Sequence, residues 1–387
     1  MEKKSNKKMR IGIVCYPTFG GSGVVATELG KALAAKGHQI HFITYSQPHR
    51  LDFFSENIFY HEVTMKSYPL FESSPYEILL ASKMVDVVRH EKLDLLHVHY
   101  AIPHASAAFM AREILKSQGI YIPIVTTLHG TDITLVGKDP SFAPVVTFCI
   151  NQSDGVTAVS EDLKKETLST FSITNQIEVI PNFIDLSRFK KHKKDHFRRA
   201  ICPHDEVLLV HTSNFRKVKR VEDVLAIFDI VRKKIPAKLL LVGDGPERQK
   251  LETICREINA CDDVRFLGKL DAVEEVLSVA DVFIMPSEKE SFGLAALEAM
   301  ACEVPVISTN VGGLPEVNIH GKTGFLSQVG DVEDMAKNTL FLLQKEQLPI
   351  FRKNALEQAK NFDAKVITPE YEGFYKQILD KCHSFVK

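Results

Sequence analysis

Several features are missing from this 387-residue chain. No apolar run approaches the roughly 18 residues needed to cross a bilayer. The basic N-terminus runs straight into a strand-like segment instead of an apolar secretory core, so no signal peptide is read. The seven cysteines form no C-x-x-C pair, and their odd number fits free thiols in a reducing, cytoplasmic compartment. Charge is also nearly absent as a bias: Lys+Arg total 48 and Asp+Glu 49, which gives no general pull toward nucleic acid or anionic lipid. The first ten residues carry +4, so the other 377 carry -5. There is no D-x-D pair to hold Mg²⁺ against a nucleotide diphosphate, and no G-x-S-x-G elbow for a serine nucleophile. Gly321-Lys322-Thr323 ends like a P-loop, but Glu316 stands where the earlier glycine is required, so this is a turn. Membrane-spanning, secreted and disulfide-stapled classes are excluded.

What remains is a balanced globular composition, 45% hydrophobic and 25% charged, long enough for two or three domains. Residues 1–9 form a basic, disordered tail, with Met9 itself a candidate start. Beyond it, short apolar runs alternate with amphipathic helical segments. Strands are expected at 10–16, 40–45, 95–100, 122–128, 156–159 and 177–180, with helices at 24–36, 76–90, 105–116 and 162–170. After a basic stretch at 190–194, read as a solvated linker or surface helix, the pattern restarts. Strands are then expected at 207–212, 238–242, 264–267, 282–285 and 304–308. Helices fit 221–234, 247–259, 273–279, 294–301 and 335–344. Continuous apolar strands between helices predict parallel sheets covered on both faces. The expectation is α/β: an N-terminal domain over 10–185, a C-terminal domain over 186–366, and a last helix at about 367–387, centred on 369–381.

Gly21, Gly23 and Ala26 match G-x-G-x-x-A between a strand and a helix. That spacing suits either a tight turn or close approach of the backbone to a phosphate. A nicotinamide site would also want an acid at the end of the second strand, where Thr44-Tyr45-Ser46-Gln47 offers none. Gly243-Asp244-Gly245-Pro246 reads as a turn bordering a crevice at a strand's C-terminal end. His97, His99 and His104 could be metal ligands, but no local carboxylate or cysteine joins them, and hydrogen bonding is the plainer account. Glu290 falls at a strand-to-helix turn and Glu298 lies about two helical turns on. The two could grip separate hydroxyl-bearing parts of one ligand, with the helix N–H groups between them facing a diphosphate. Spacing alone equally allows a capped amphipathic helix with a surface glutamate.

The segment from Glu290 to Glu298 resembles the E-x7-E motif of the retaining family 4 glycosyltransferases. The likeness extends through Ala299-Met300-Ala301, Pro305-Val306-Ile307 and Val311-Gly312-Gly313-Leu314-Pro315-Glu316. It also takes in Gly20-Gly21-Ser22-Gly23, His129-Gly130-Thr131-Asp132, Pro181-Asn182 and the Gly243 turn, so it spans essentially the whole chain. It implies a GT-B fold, two Rossmann-like αβα domains facing across a cleft, with the last helix crossing back onto the N-terminal domain. By the same resemblance Glu290 would bind donor-sugar hydroxyls and Glu298 the ribose. Ser291, Phe292, Gly293 and Leu294 would hold the diphosphate, and Lys219 would neutralise it as it leaves. The family's partner arginine is replaced here: Asn214 holds the aligned place, and Arg216 is the candidate for the second charge. His129 would lie beside the donor sugar, Gly21 under the phosphate and Gly243 at the donor crevice.

The segments CYPTFGGSG, LHGTDIT and SNFRKVKRVEDV most resemble members that make N-acetylglucosaminyl malate, the first step of bacillithiol biosynthesis. That implies UDP-N-acetylglucosamine as donor, L-malate as acceptor, retention at the anomeric carbon and no cofactor or metal. Ser22, Arg50, Tyr100 and Thr131 are the acceptor-side candidates. Two other readings stand beside it: a same-fold enzyme with a sugar or lipid acceptor, and a nucleotide-binding oxidoreductase or non-catalytic protein. The intact carboxylate pair and the missing second-strand acid weigh against the last. No nucleic-acid partner or membrane insertion is expected, and a homo-oligomer is left open.

Overall fold

The computed structural model describes residues 8–18, 20–51, 55–65, 75–135, 137, 139–192 and 195–385. The contacts divide the chain into two units, residues 1–182 with 364–387, and residues 183–363. The first boundary falls three residues before the expected 185/186 join, and the return falls three before 366/367.

The first unit is a seven-stranded sheet in the order β3-β2-β1-β4-β5-β6-β7. Its strands are β1 (Arg10–Val14), β2 (Gln39–Thr44), β3 (Ile58–Glu62), β4 (Leu95–His99), β5 (Ile124–Leu128), β6 (Gly155–Ala158) and β7 (Ile177–Val179). Every neighbouring pair is parallel. The central strands are buried along their length, which is why they read as unbroken apolar runs. β3 is different: it is an edge strand with Phe59 and Tyr60 exposed, so it lacks the run that marks its neighbours. The helices Gly21–Ala35, Tyr76–Glu91, Ser106–Lys116 and Glu161–Thr170 fall where periodicity placed them. Ala143–Gln152 was not foreseen; it starts on an Ala-Pro pair, and proline suits a first helical turn.

The last helix, Ala364–Phe385, belongs to this first unit. Tyr371 and Tyr375 are fully buried, and the Tyr375 hydroxyl meets His97 Nδ1 at 2.7 Å. Glu372 takes an ion pair from Lys36 and a 2.9 Å contact from His38 Nε2. A side chain at Gly155 would strike the Phe374 ring at 2.8 Å, so β6 and this helix touch through a glycine. The expected disordered tail needs correction at its end. Met9 is buried, and its N–H donates to His38 Nδ1 at 3.0 Å; residues 1–7 lie outside the described residues.

The second unit is a six-stranded parallel sheet in the order β10-β9-β8-β11-β12-β13. Its strands are β8 (Val207–Thr212), β9 (Ala237–Val242), β10 (Val264–Gly268), β11 (Val282–Met285), β12 (Val306–Thr309) and β13 (Gly324–Ser327). One apolar core joins the Val221–Arg232 helix to β8, β9 and β11 through Phe228, Leu239 and Ile284. β13 went unread because it is four residues long and follows the Gly321 turn. The chain enters and leaves this unit side by side, Ile184 N–H donating to the Phe362 carbonyl at 2.9 Å. The basic stretch leads into the short helix Asp195–Ile201, with Lys191 3.8 Å from Glu303; Lys193 and Lys194 lie outside the described residues.

Candidate active site

In open parallel sheets, ligands collect beyond strand C-terminal ends where the strand order reverses. In the second unit that point lies between β8 and β11. β8 is followed by a loop ending in a short 3₁₀ turn, Lys217–Lys219. His211 Nδ1–H donates to the Ile284 carbonyl at 2.8 Å, and its Nε2 lies 2.8 Å from Ser213 Oγ. Phe215 is fully buried at φ 38°, a left-handed conformation that costs a bulky residue about 1–3 kcal/mol. Locked in this way, the loop leaves Asn214 and Arg216 exposed and turns Lys219 inward, its side chain 20% exposed.

β11 runs into the loop that carries Glu290. The Glu288 N–H donates to the Val218 carbonyl at 2.8 Å, tying this loop to the lysine turn. Thr309 Oγ1 donates to the Ser287 carbonyl at 2.6 Å, and Ser287 Oγ donates to Glu290 Oε1 at 2.9 Å. Lys219 Nζ forms an ion pair with the same Oε1, and the Glu290 side chain is 11% exposed. The two residues assigned to the donor sugar and the leaving diphosphate are therefore joined to each other across the β8/β11 switch point. Behind them lies a glycine wall. A Cβ at Gly312 would sit 1.8 Å from the Glu290 carbonyl oxygen, and one at Gly313 would sit 2.4 Å from that of Ser291. Gly243, at φ 122°, leaves no room either, a Cβ meeting the Ser213 carbonyl oxygen at 1.8 Å.

Gly293, at φ 96°, opens the Leu294–Ala301 helix without a side-chain cap. The first N–H groups of that helix have no intrahelical acceptor, and they carry the positive end of its dipole. Phe292 is buried with its ring edge-on to Phe362 at 5.6 Å, so it anchors the loop by packing. Ser291 and Leu294 remain partly exposed beside the helix start. Glu298 lies one helical turn beyond Leu294 on the same face and is buried to 8% exposure.

In the first unit the order reverses between β1 and β4. The Gly21–Ala35 helix begins after β1 with Gly20 as an uncapped N-terminus and Gly21 exposed in the first turn. A Cβ at Gly23 would sit 2.4 Å from the Tyr16 carbonyl oxygen, so this glycine serves close packing of the turn. Beyond β4, Tyr100 sits at φ 88° and donates its hydroxyl to Ser22 Oγ at 2.6 Å, with the Thr131 hydroxyl also bonding its phenol. The Tyr100 and His129 rings are 5.3 Å apart. Ser22, Tyr100, Thr131 and His129 are thus brought together. Arg50 follows β2, at φ 68°, and its carbonyl accepts from Lys31 on the Gly21–Ala35 helix at 3.3 Å.

Asp132, the last residue of the His129-Gly130-Thr131-Asp132 motif and without a role expected from sequence, organises this end of the sheet. Its buried carboxylate accepts N–H groups from Ala101 and Gly130 at 3.0 Å and from His129 at 3.3 Å. Burial pushes its acid up to about 6 against those donors. His99 Nδ1 meets His129 Nε2 at 2.8 Å, and His97 Nε2 meets Thr127 Oγ1 at 2.7 Å. His104 Nδ1–H donates to the His99 carbonyl. Burial holds His97 and His129 down to about 3 and His104 to about 4, so these rings are neutral near pH 7. Each ring of the His97–His104 cluster thus has a hydrogen-bond partner. Among the described residues, His41, His61 and Glu91 offer ligand atoms within 4.8 Å of one another. The 3.0 Å contact between His41 Nδ1 and His61 Nε2 is an ordinary hydrogen-bond distance for two rings that burial disfavours as cations.

Comparison with known proteins gives the family and the fold. Residues 19–188 match the family Glycosyltransferase Family 4, and residues 192–362 match Glycosyl transferases group 1. The chain is 48% identical over 378 residues to an N-acetyl-alpha-D-glucosaminyl L-malate synthase of Bacillus anthracis, covering 96% of this chain and 98% of that protein. A sucrose-phosphate synthase from Thermosynechococcus elongatus superimposes with a TM-score of 0.79 at 23% identity, covering 97% of this chain and 100% of the other. Anabaena HepE in complex with UDP and glucose also gives 0.79, at 19% identity, covering 94% and 98%. Two parallel-sheet units, a glutamate pair beginning at a switch point and an end-to-end relative at 48% identity lead to one conclusion: the chain belongs to the family 4 glycosyltransferases and has the GT-B fold.

Proposed function

We propose that this glycosyltransferase moves N-acetylglucosamine from UDP-N-acetylglucosamine to the hydroxyl of L-malate, with retention, in the cytoplasm and without metal or cofactor. The supporting observation is the 48% identity, over nearly the full length of both chains, to a protein named N-acetyl-alpha-D-glucosaminyl L-malate synthase. In this reading Glu298 takes the ribose hydroxyls and Glu290 those of the donor sugar. The diphosphate lies against Ser291, Phe292, Gly293 and Leu294, with Gly243 at the crevice. Donor binding exchanges the Lys219–Glu290 pair for contacts to ligand: Glu290 turns to the sugar, and Lys219, with Arg216, to the diphosphate.

The malate hydroxyl attacks the anomeric carbon on the face that UDP leaves, the bond to the phosphate oxygen breaks, and a phosphate oxygen takes the hydroxyl proton. The protein's part is positioning and neutralising growing charge, the usual source of rate in phosphate-leaving reactions. Two carboxylates on the acceptor call for N–H and O–H donors or cations. The uncapped helix start at Gly21, the hydroxyls of Ser22, Tyr100 and Thr131, and Arg50 supply them in this reading. His129 lies beside the donor sugar.

A UDP-release assay with UDP-N-acetylglucosamine and a panel of hydroxy acids, sugars and lipids tests the proposal. Malate is expected to support turnover that survives EDTA. Succinate, which lacks the attacking hydroxyl, is expected to compete without reacting. Turnover with a sugar or lipid and none with malate would overturn the acceptor, and activity lost on chelation and restored by Mg²⁺ would overturn the metal-free mechanism.

A further inference from the structure

We infer that His99 sets the proton of His129: it donates its Nδ1–H to His129 Nε2, so His129 is a neutral ring protonated at Nδ1 and meets its ligand as a hydrogen-bond donor. The role of the ligand rests on the proposed placement of His129 beside the donor sugar; the tautomer does not.

The two nitrogens are 2.8 Å apart, with ring centroids at 5.1 Å and planes 24° apart. The rings lie nearly edge to edge, so one N–H points along the other ring's lone pair. Two neutral arrangements can make this bond. If His129 donated, the proton of His99 would move to Nε2, which is buried and has no hydrogen-bond partner among the described residues. Orphaned buried N–H groups are the rarer defect, and an unfilled acceptor is the more common one. If His99 donates, only a lone pair is left at Nε2. An arrangement with a charged ring is disfavoured because burial and the neighbouring imidazoles push both groups down.

The surroundings fix the geometry from both sides. His104 Nδ1–H holds the His99 carbonyl, and the Tyr100 N–H, next along the chain, donates to the Thr127 carbonyl at 2.9 Å. Asp132 accepts the backbone N–H groups of His129 and Gly130. With its backbone N–H and Nε2 committed, half-buried His129 retains Nδ1, which bonds no described residue. A proton at Nδ1 lets this ring donate to a sugar hydroxyl or a phosphate oxygen and prevents it from acting as a base there. His99 touches no ligand in this account and is a positioning residue.

Nitrogen-15 NMR of the full chain labelled at histidine reads the tautomer directly, with the His129 signals identified by their absence from His129→Gln. Protonated Nδ1 and bare Nε2 on His129 are expected. The reverse assignment would overturn the inference, and this measurement on the unaltered protein does not depend on any His99 variant folding. His99→Asn, whose amide N–H can replace the donor, is expected to keep the His129 signals and kcat/KM within about twofold. His99→Leu is expected to shift the Nδ1/Nε2 populations and lower kcat/KM about tenfold, the worth of one hydrogen bond. Equal behaviour of the two variants would also overturn it. Addition of UDP-N-acetylglucosamine separates the premises: the expected tautomer with signals that ignore the donor would retain the inference for His99 and remove His129 from the donor site.

Discussion

At the residue scale, the proposed reaction turns on three side chains of the second unit, each with a different role. Glu298→Ala is expected to raise the donor KM with little change in kcat, because a ribose contact is present in ground and transition states alike. Lys219→Ala is expected to lower kcat by about 10²–10³, since charge on the diphosphate grows as the glycosidic bond breaks. Glu290→Gln keeps the shape and loses the charge that now holds Lys219, so kcat and donor affinity fall together while UDP still binds. Steady-state kinetics with UDP calorimetry checks the order, and near-normal kcat in Lys219→Ala would remove that lysine from the leaving-group role. Glu290 and Glu298 are legible as candidates in the sequence through their resemblance to the E-x7-E motif, since their spacing alone equally allows a capped helix with a surface glutamate. The Lys219–Glu290 pair is not, because its members are 71 residues apart and only the strand order brings them together. His99 with His129 is the same case at a separation of 30.

At the scale of elements, backbone contacts between loops hold these side chains in place, and glycine makes the contacts possible. Gly312→Ala puts a methyl into the Glu290 carbonyl and adds a residue that resists φ 56°, so the Glu290 loop has to move. A displacement of about 1 Å at a positioned group can cost on the order of 10²-fold in rate, and that is the loss expected for kcat in this variant. Gly119→Ala is the control: it is equally left-handed, at φ 78°, but has open space around it, so it should cost about 1 kcal/mol of stability and leave kcat unchanged. Equal kcat in both variants would contradict the glycine-wall account. Strands buried on both faces were readable from composition, whereas β3 and β13 were not: one exposes its aromatics at the sheet edge, and the other is four residues of mixed burial. The last helix was expected over about 367–387 and begins at Ala364, where buried Ile367 and Thr368 hold the turn before Pro369 despite the proline.

For the whole molecule, the buried imidazoles make stability depend on pH in a defined direction. His41, His97, His104 and His129 in the first unit are pushed down from 6.5 to between about 3 and about 4, and His99 lies well below its ordinary value. The unfolded chain therefore takes up protons near 6.5 that the folded rings refuse, so stability that is complete above that pH is lost as pH falls toward 4. Each ring approaches about 1.4 kcal/mol per pH unit at full titration of the unfolded state. Asp132, raised from 3.8 to about 6, opposes this between those values as a single group. Thermal melts between pH 7.5 and 5 should show a falling midpoint, and hydrogen exchange should place the loss first in the unit holding 1–182 and 364–387; a flat profile would contradict the buried neutral cluster. The reaction itself is read out by proton NMR of the product formed from UDP-N-acetylglucosamine and L-malate. An α-linked N-acetylglucosaminyl malate joined through the malate hydroxyl is expected, with UDP released in equal amount; a β-linked product, or free N-acetylglucosamine with malate untouched, would contradict the proposed reaction.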